Sequence, residues 1–211
     1  MSQNRSVPTS VLLAFAGAVA LIGGILAATW LNTPKTVRVA SGTLLQQPRA
    51  LPDFTLIDQD GQPFTRAQLQ GKWTLIFPGF TYCPDICPTT LGLLKTVRSQ
   101  LDPQAAARLQ VVLFSIDPAR DSPSRLKEYV TYFSPDFRAA TVDEPQLKAM
   151  AQALGVAYAK VPGGTPETYT MDHSAALILI NPDGELTGYF TAPLTAPALV
   201  GDLRQLLESR S

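Results

Sequence analysis

From Ser6 to Pro34 the chain carries no charged residue, and residues 11–31 within that stretch read VLLAFAGAVALIGGILAATWL. About 21 residues of helix cross a hydrocarbon core of ~30 Å. The run therefore predicts a transmembrane anchor, and whatever follows must fold as a separate unit. A cleaved signal peptide would need an apolar region of about 7 to 15 residues and a small-residue cleavage site. Leu26, Ala27 and Ala28 make a poor one, whereas Trp30 suits a helix end at the membrane interface. Arg5 and the α-amino group face Lys35 and Arg38 across the run, which nearly balances the charges that set orientation. An anchor so early in the chain, followed by one large domain, predicts a cytoplasmic N-terminus. The domain then lies outside, in a periplasm or the equivalent intermembrane space.

The sequence divides accordingly into a tail (1–10), the anchor (11–31), a polar linker with two prolines (32–50) and one folded domain (51–211). About 160 residues suffice for one domain with its own core. A hairpin is expected over 54–65, turning at Asp60-Gly61. A buried strand over 73–77 should end at Pro78, because proline removes a ladder donor. Helices follow at 88–101, 122–133, 144–154 and 196–208, by the spacing of their apolar residues and by Ser122-Pro123 and Gly155 at two of their ends. Further strands are expected at 109–116, 156–161, 175–180 and 185–190. This order predicts a thioredoxin-like α/β domain with an added N-terminal hairpin, preceded by one transmembrane helix.

Lys plus Arg and Asp plus Glu each total 17, so there is no basic excess to neutralise a phosphate backbone, and nucleic acid is not an expected partner. Two cysteines and one histidine exclude a four-ligand Cys/His zinc site, a four-thiolate cluster and a disulfide scaffold. Soft-ligand or thiol chemistry must pass through Cys83, Cys87 and His173.

Cys83-Pro-Asp-Ile-Cys87-Pro88 follows a buried strand and opens a helix. Pro88 fits a first helical position, which makes Cys87 the expected cap and leaves Cys83 in the preceding loop. The positive end of the helix dipole should then lower both thiol pKa values. A disulfide closing so short a loop removes little unfolded-state entropy, so function explains the pair better than stapling does. His173 precedes an apolar strand whose start, in a thioredoxin-like sheet, lies beside the cysteine loop; the stretch 161–169 is loop-like enough to let it move. Asp172-His173-Ser174 does not make a hydrolase triad, because strand neighbours point to opposite faces, and no nucleophile elbow occurs. Asp58-Gln-Asp60-Gly61 reads as a turn, and Arg120 within Asp117-Pro-Ala-Arg-Asp121 as a structural partner of a carboxylate.

Three segments, FTYCPDICP (80–88), SIDPARDSP (115–123) and DHS (172–174) with NPDG (181–184), resemble the Sco/SenC family of membrane-anchored, thioredoxin-fold copper proteins over about 53–208. Tyr82 stands where some members carry a second histidine. The resemblance implies that Cys83, Cys87 and His173 are the copper ligands. It also implies a metallochaperone role: delivering copper to, or preparing, the dinuclear site of cytochrome c oxidase subunit II. A copper donor protein and a thiol reductant are then expected as further partners. The chemistry agrees, since two thiolates and one imidazole suit a soft ion of low coordination number. Cu(II) with two thiolates sums to zero charge and Cu(I) to minus one, so both states are expected. The rival is an enzyme, a thiol-disulfide oxidoreductase that cycles Cys83 and Cys87 to keep a client's cysteines reduced. His173 separates the two, because disulfide exchange needs the thiols alone.

Overall fold

Three continuous apolar runs set the centre of the molecule: β4 (Trp73–Gly79), β5 (Leu109–Ser115) and β9 (Leu177–Ile180) are buried along their whole length. Strands covered on both faces read this way. In this computed structural model, which describes residues 9–31, 39–163 and 168–208, the runs form the middle of an eight-stranded sheet. The sheet is completed by β1 (Gly42–Ala50), β2 (Leu56–Asp58), β3 (Pro63–Phe64), β6 (Arg138–Thr141) and β10 (Glu185–Phe190), in the order β1-β10-β9-β4-β5-β6-β2-β3. The β4–β5 and β5–β6 pairs are parallel, and the other pairs in the sheet are antiparallel.

Parallel neighbours require crossovers. The helix α2 (Ile86–Gln100) and the short α3 (Pro103–Arg108) join β4 to β5, and α4 (Pro123–Phe133) joins β5 to β6. α5 (Glu144–Leu154) follows β6, and α6 (Ala196–Glu208) closes the domain against α2. Leu91, Leu94 and Val97 of α2 are fully buried, each contributing about 1.5–3 kcal/mol relative to exposure. Gly155 ends α5 in the left-handed conformation at φ 70°, and its N–H bonds back to Ala151 and Gln152. Ser122 caps α4 by accepting from Arg125 N. The expected hairpin is present as β2–β3 and extends the sheet through β6.

The structure corrects four expectations. β4 runs through Pro78, pairing it with Phe114. The Gly79 carbonyl accepts from Ile116 N on the β5 side, so alternation turns Pro78 toward β9, whose pairing has already ended at Ile76↔Ile178. The missing donor thus falls where no acceptor waits. Residues 42–50, expected in the linker, are strand β1. Pro48 is tolerated because β1 is an edge strand whose register slips between Leu44 and Arg49. Buried Asp202 fastens the approach to β1, accepting from Ala40 N, Ser41 N and Ser41 Oγ at 2.7, 2.8 and 2.5 Å. The strand expected at 156–161 is β7 (Tyr158–Val161), and it pairs with an unanticipated β8 (Thr170–His173) in a separate two-stranded sheet. Residues 164–167, inside the stretch expected to be loop-like, lie outside the described residues. α2 begins at Ile86 behind an Asp85 cap, so Cys87 is in the first turn and is not the cap. Pro88 still fits, because N–H groups of the first turn have no intrahelical partner.

The chain divides into two compact units, Met1–Thr36 and Val37–Ser211. The first contains α1 (Thr9–Leu31), 23 residues long with no acidic residue in its first turn and no basic residue in its last. Among its described side chains Phe15, Leu21, Ile22 and Leu26 are exposed. Among the described residues no helix meets the length and apolarity of a membrane span. α1 takes in Thr9 and Ser10 of the expected tail, and residues 1–8 and 32–38, which hold the rest of that tail and the start of the linker, lie outside the description.

Candidate metal centre

The C-terminal ends of parallel strands are where an α/β sheet presents its loops, and the cysteine loop leaves from the end of β4. Cys83 N donates to the Phe80 carbonyl at 3.3 Å, closing a turn. Asp85 occupies the cap position of α2 without a side-chain cap bond. The sulfur of Cys83 takes over part of that task, accepting from the Cys87 N–H at 3.4 Å. An orphan donor of the first turn is thereby satisfied by a prospective metal ligand.

Cys87 is completely buried and Cys83 nearly so, and both are free thiols. Burial, reinforced by the hydrogen bond to Cys83 and by the Cys83 and Asp121 charges, pushes the Cys87 thiol well above its ordinary value despite a backbone bond to Phe80. The expectation that the helix start would lower both thiol pKa values therefore fails for Cys87. Loss of solvent outweighs a partial dipole charge. Gly79 makes room for this sulfur: a Cβ there would lie 3.1 Å from Cys87 Sγ and 3.0 Å from Leu113 Cδ1.

His173 ends β8 and sits opposite Tyr158. Its Nε2 lies 3.8 Å from Cys87 Sγ, and its Nδ1 lies 3.0 Å from the Ser174 carbonyl. With the proton on Nδ1 donated to that carbonyl, the Nε2 lone pair faces the sulfur; an outer hydrogen bond commonly fixes a ligand imidazole in this way. Phe77 and Phe80 stand edge-on to the ring, each with its centroid 6.1 Å away. Asp172, next to His173, is exposed and faces away from this site, as strand alternation predicts.

Cys87 and His173 are thus brought together across 86 residues of sequence, with Cys83 against Cys87. The donors fit a shared ion: nitrogen and sulfur at bond lengths of about 2.0 and 2.3 Å lie 3.8 Å apart when they subtend about 120°. Among the described residues no group of three or more His, Cys, Asp and Glu is already arranged around one point. The site consists of two arms, the cysteine loop and the β7–β8 hairpin, that meet at the Cys87–His173 contact.

Around it stands a polar support that sequence reasoning assigned only in outline. The Asp121 carboxylate, 1% exposed, accepts from Thr81 Oγ1 at 2.6 Å, Ser115 Oγ at 2.7 Å and Thr81 N at 3.2 Å. Burial raises its pKa, and the three donors oppose that rise. Arg120 pairs with Asp117 at 2.5 Å, which agrees with its expected structural role. Asp58 accepts from Asp60 N and Gln62 N, both at 2.9 Å, and forms the expected turn. An aspartate two residues before a Pro-started helix gave no sign that it would reach 40 positions back to Thr81.

Residues 43–208 match the family model described as SCO1/SenC. A Stutzerimonas stutzeri protein named as a candidate copper-binding protein is 42% identical over 171 residues, covering 81% of this chain and 83% of that one. The mitochondrial SCO2 homologue of Mus musculus is 36% identical over 154 residues, 72% of this chain and 60% of that one. The crystal structure of yeast Sco1 with copper bound is similar with a TM-score of 0.71 and 31% identity, covering 78% of this chain and 91% of that one. The α/β domain accordingly has the thioredoxin-like fold.

Proposed function

This chain belongs to the SCO1/SenC family, and from that premise we propose that it carries copper on Cys83, Cys87 and His173 and delivers it to, or prepares, the dinuclear copper site of cytochrome c oxidase subunit II. The observation that carries the reading is the 3.8 Å approach of His173 Nε2 to Cys87 Sγ, with Nδ1 occupied by Ser174 O. A lone histidine beside a redox pair has no need of that tautomer, but a soft ion held by two thiolates and an imidazole does.

Copper is cargo here, so the residues must both take it and let it go. Cys87 supplies a dry thiolate position, and loading must displace its proton. Cys83, already within reach of the Cys87 amide, supplies the second sulfur. His173 completes the set from an element that is not laddered to the main sheet. A copper donor protein fills the site, subunit II empties it, and a thiol reductant returns a Cys83–Cys87 disulfide to two thiols by transferring two electrons and two protons. The uncharged run from Ser6 to Pro34 in the sequence supports an anchor in the membrane, with the domain in the periplasm or the intermembrane space.

The second reading, a thiol-disulfide oxidoreductase acting on the client's cysteines, is favoured by the closeness of the two free cysteines, Cys83 Sγ accepting from the Cys87 N–H at 3.4 Å. Replacing His173 decides between them. His173→Ala should weaken Cu(II) binding far more than Cu(I) binding, because two thiolates hold Cu(I) alone whereas Cu(II) wants nitrogen ligands. Disulfide formation between Cys83 and Cys87 should persist. Visible spectra of the copper-loaded full chain and oxidase activity in cells measure both. A variant that restores oxidase assembly completely would hand the function to the thiol enzyme.

A further inference from the structure

The β7–β8 hairpin that presents His173 forms its own two-stranded sheet, so a ladder to the main sheet cannot set the position of the imidazole. Tyr158 of β7 reaches Glu144 of α5 at 3.4 Å, and the shorter polar contacts that hold the approach to β8 among the described residues meet at the loop after β5. Arg120 Nη1 donates to the Tyr169 carbonyl at 3.0 Å, immediately before β8. Tyr169 Oη donates to Asp117 Oδ1 at 2.7 Å, and Arg120 Nε donates to the other oxygen of Asp117 at 2.5 Å. The guanidinium also lies 3.7 Å from the centre of the Tyr169 ring, whose surroundings further include Lys160 Nζ at 3.6 Å.

The same guanidinium faces the cysteine loop. Its carbon is 4.7 Å from the centre of the Tyr82 ring, next to Cys83, and 5.8 Å from that of Phe80. One side chain therefore touches both arms of the site. Arg120 Nη2 is buried with no hydrogen-bond partner among the described residues. A simple ion pair at a helix start would not require such burial, which is costly. A planar fork wedged between two aromatic arms would.

We propose that Arg120 is a positioning residue, registering the β7–β8 hairpin against the cysteine loop and so keeping His173 Nε2 within reach of Cys87 Sγ. It works through its fork: Nε holds Asp117, Nη1 holds Tyr169 O, and the flat face stacks on Tyr169. Lysine keeps the charge and loses all three geometries. The proposal deepens the copper reading, and its first test needs no metal.

Hydrogen exchange of the full, metal-free chain should show amides of Tyr158–Val161 and Thr170–His173 exchanging about ten- to a hundredfold faster in Arg120→Lys, as expected for losing a charge-assisted bond, with β4 and β5 unchanged. Tyr169→Phe, which keeps the carbonyl and the ring, should give a smaller increase in the same segments. Unchanged hairpin exchange in Arg120→Lys, or exchange rising equally throughout the domain, would overturn the proposal. The second readout is the Cu(II) spectrum, in which Arg120→Lys should diminish the nitrogen-ligand signature of the parent while one Cu(I) still binds per chain. If the hairpin loosens but the parent itself shows no nitrogen ligand, the copper reading fails and the positioning role stands.

Discussion

Cys87 is mounted at the centre of the molecule and His173 at its margin. The cysteine follows β4, a strand paired on both sides, and sits in the first turn of a helix whose inner face is fully buried, while the loop before it is fastened to Asp121 through Thr81. The histidine stands on a two-stranded sheet tied to the domain by Arg120, Asp117 and Tyr169. A perturbation of the first region must disturb the core. One of the second can loosen a ligand and leave the core intact. Under the proposed copper reading this division would have a use: the sulfurs would stay fixed while the third donor could shift when copper is passed on.

The largest effect should follow from Asp121→Ala, which strands the Thr81 N–H and two hydroxyls without their acceptor. Each buried group so abandoned costs about 1–3 kcal/mol, so thermal denaturation should show a loss of about 3 kcal/mol or more, roughly 6–12 °C in a domain of this size. If Tyr169→Phe proved as destabilising as Asp121→Ala in that experiment, the contrast between the arms would be broken. Gly79→Ala should come next. Its Cβ would crowd Phe77, Leu113 and Cys87 Sγ at 3.0–3.1 Å, and overpacking of that kind costs about 1–3 kcal/mol. A stable Gly79→Ala protein with undisturbed copper spectra would mean that the cysteine arm is softer than the packing implies.

The smallest effect is a pH dependence. Burial raises the Asp121 pKa above its ordinary value, so the folded protein keeps this proton to higher pH than the unfolded chain does. The resulting stability is fully present below the ordinary aspartate range and is lost as pH rises through the folded value. Chemical denaturation across that window should show the slope in the parent and its absence in Asp121→Asn. An equal slope in both would assign the dependence to other groups.

Elements with a strong local signal were legible in advance. Glu144–Leu154 with its Gly155 cap, Pro123–Phe133 behind Ser122, and Glu185–Phe190 all stand where spacing and caps put them. β6 and α3 were not anticipated: β6 has only four residues and carries two alanines, and α3 has six residues with no buried side chain, too few to declare a period. β1 escaped because its burial pattern is that of a half-covered edge and its sequence contains a proline. Of the site, the three candidate ligands were legible as residue types in a spacing, and Arg120 as the partner of a carboxylate.

The sequence by itself determined what depends on neighbours along the chain: an uncharged apolar run near the N-terminus, the strands and helices of an α/β fold, and two cysteines at the mouth of a helix. The tertiary structure alone decided what depends on residues far apart. Burial overrode the helix dipole at Cys87, because solvation is set by everything packed around a sulfur and not by the turn that contains it. The meeting of Cys87 with His173, the reach of Asp121 to Thr81 and the grip of Arg120 on Tyr169 span 86, 40 and 49 positions. No local pattern encodes such contacts. They exist because the sheet order brings the end of β4, the loop after β5 and the β7–β8 hairpin to one place.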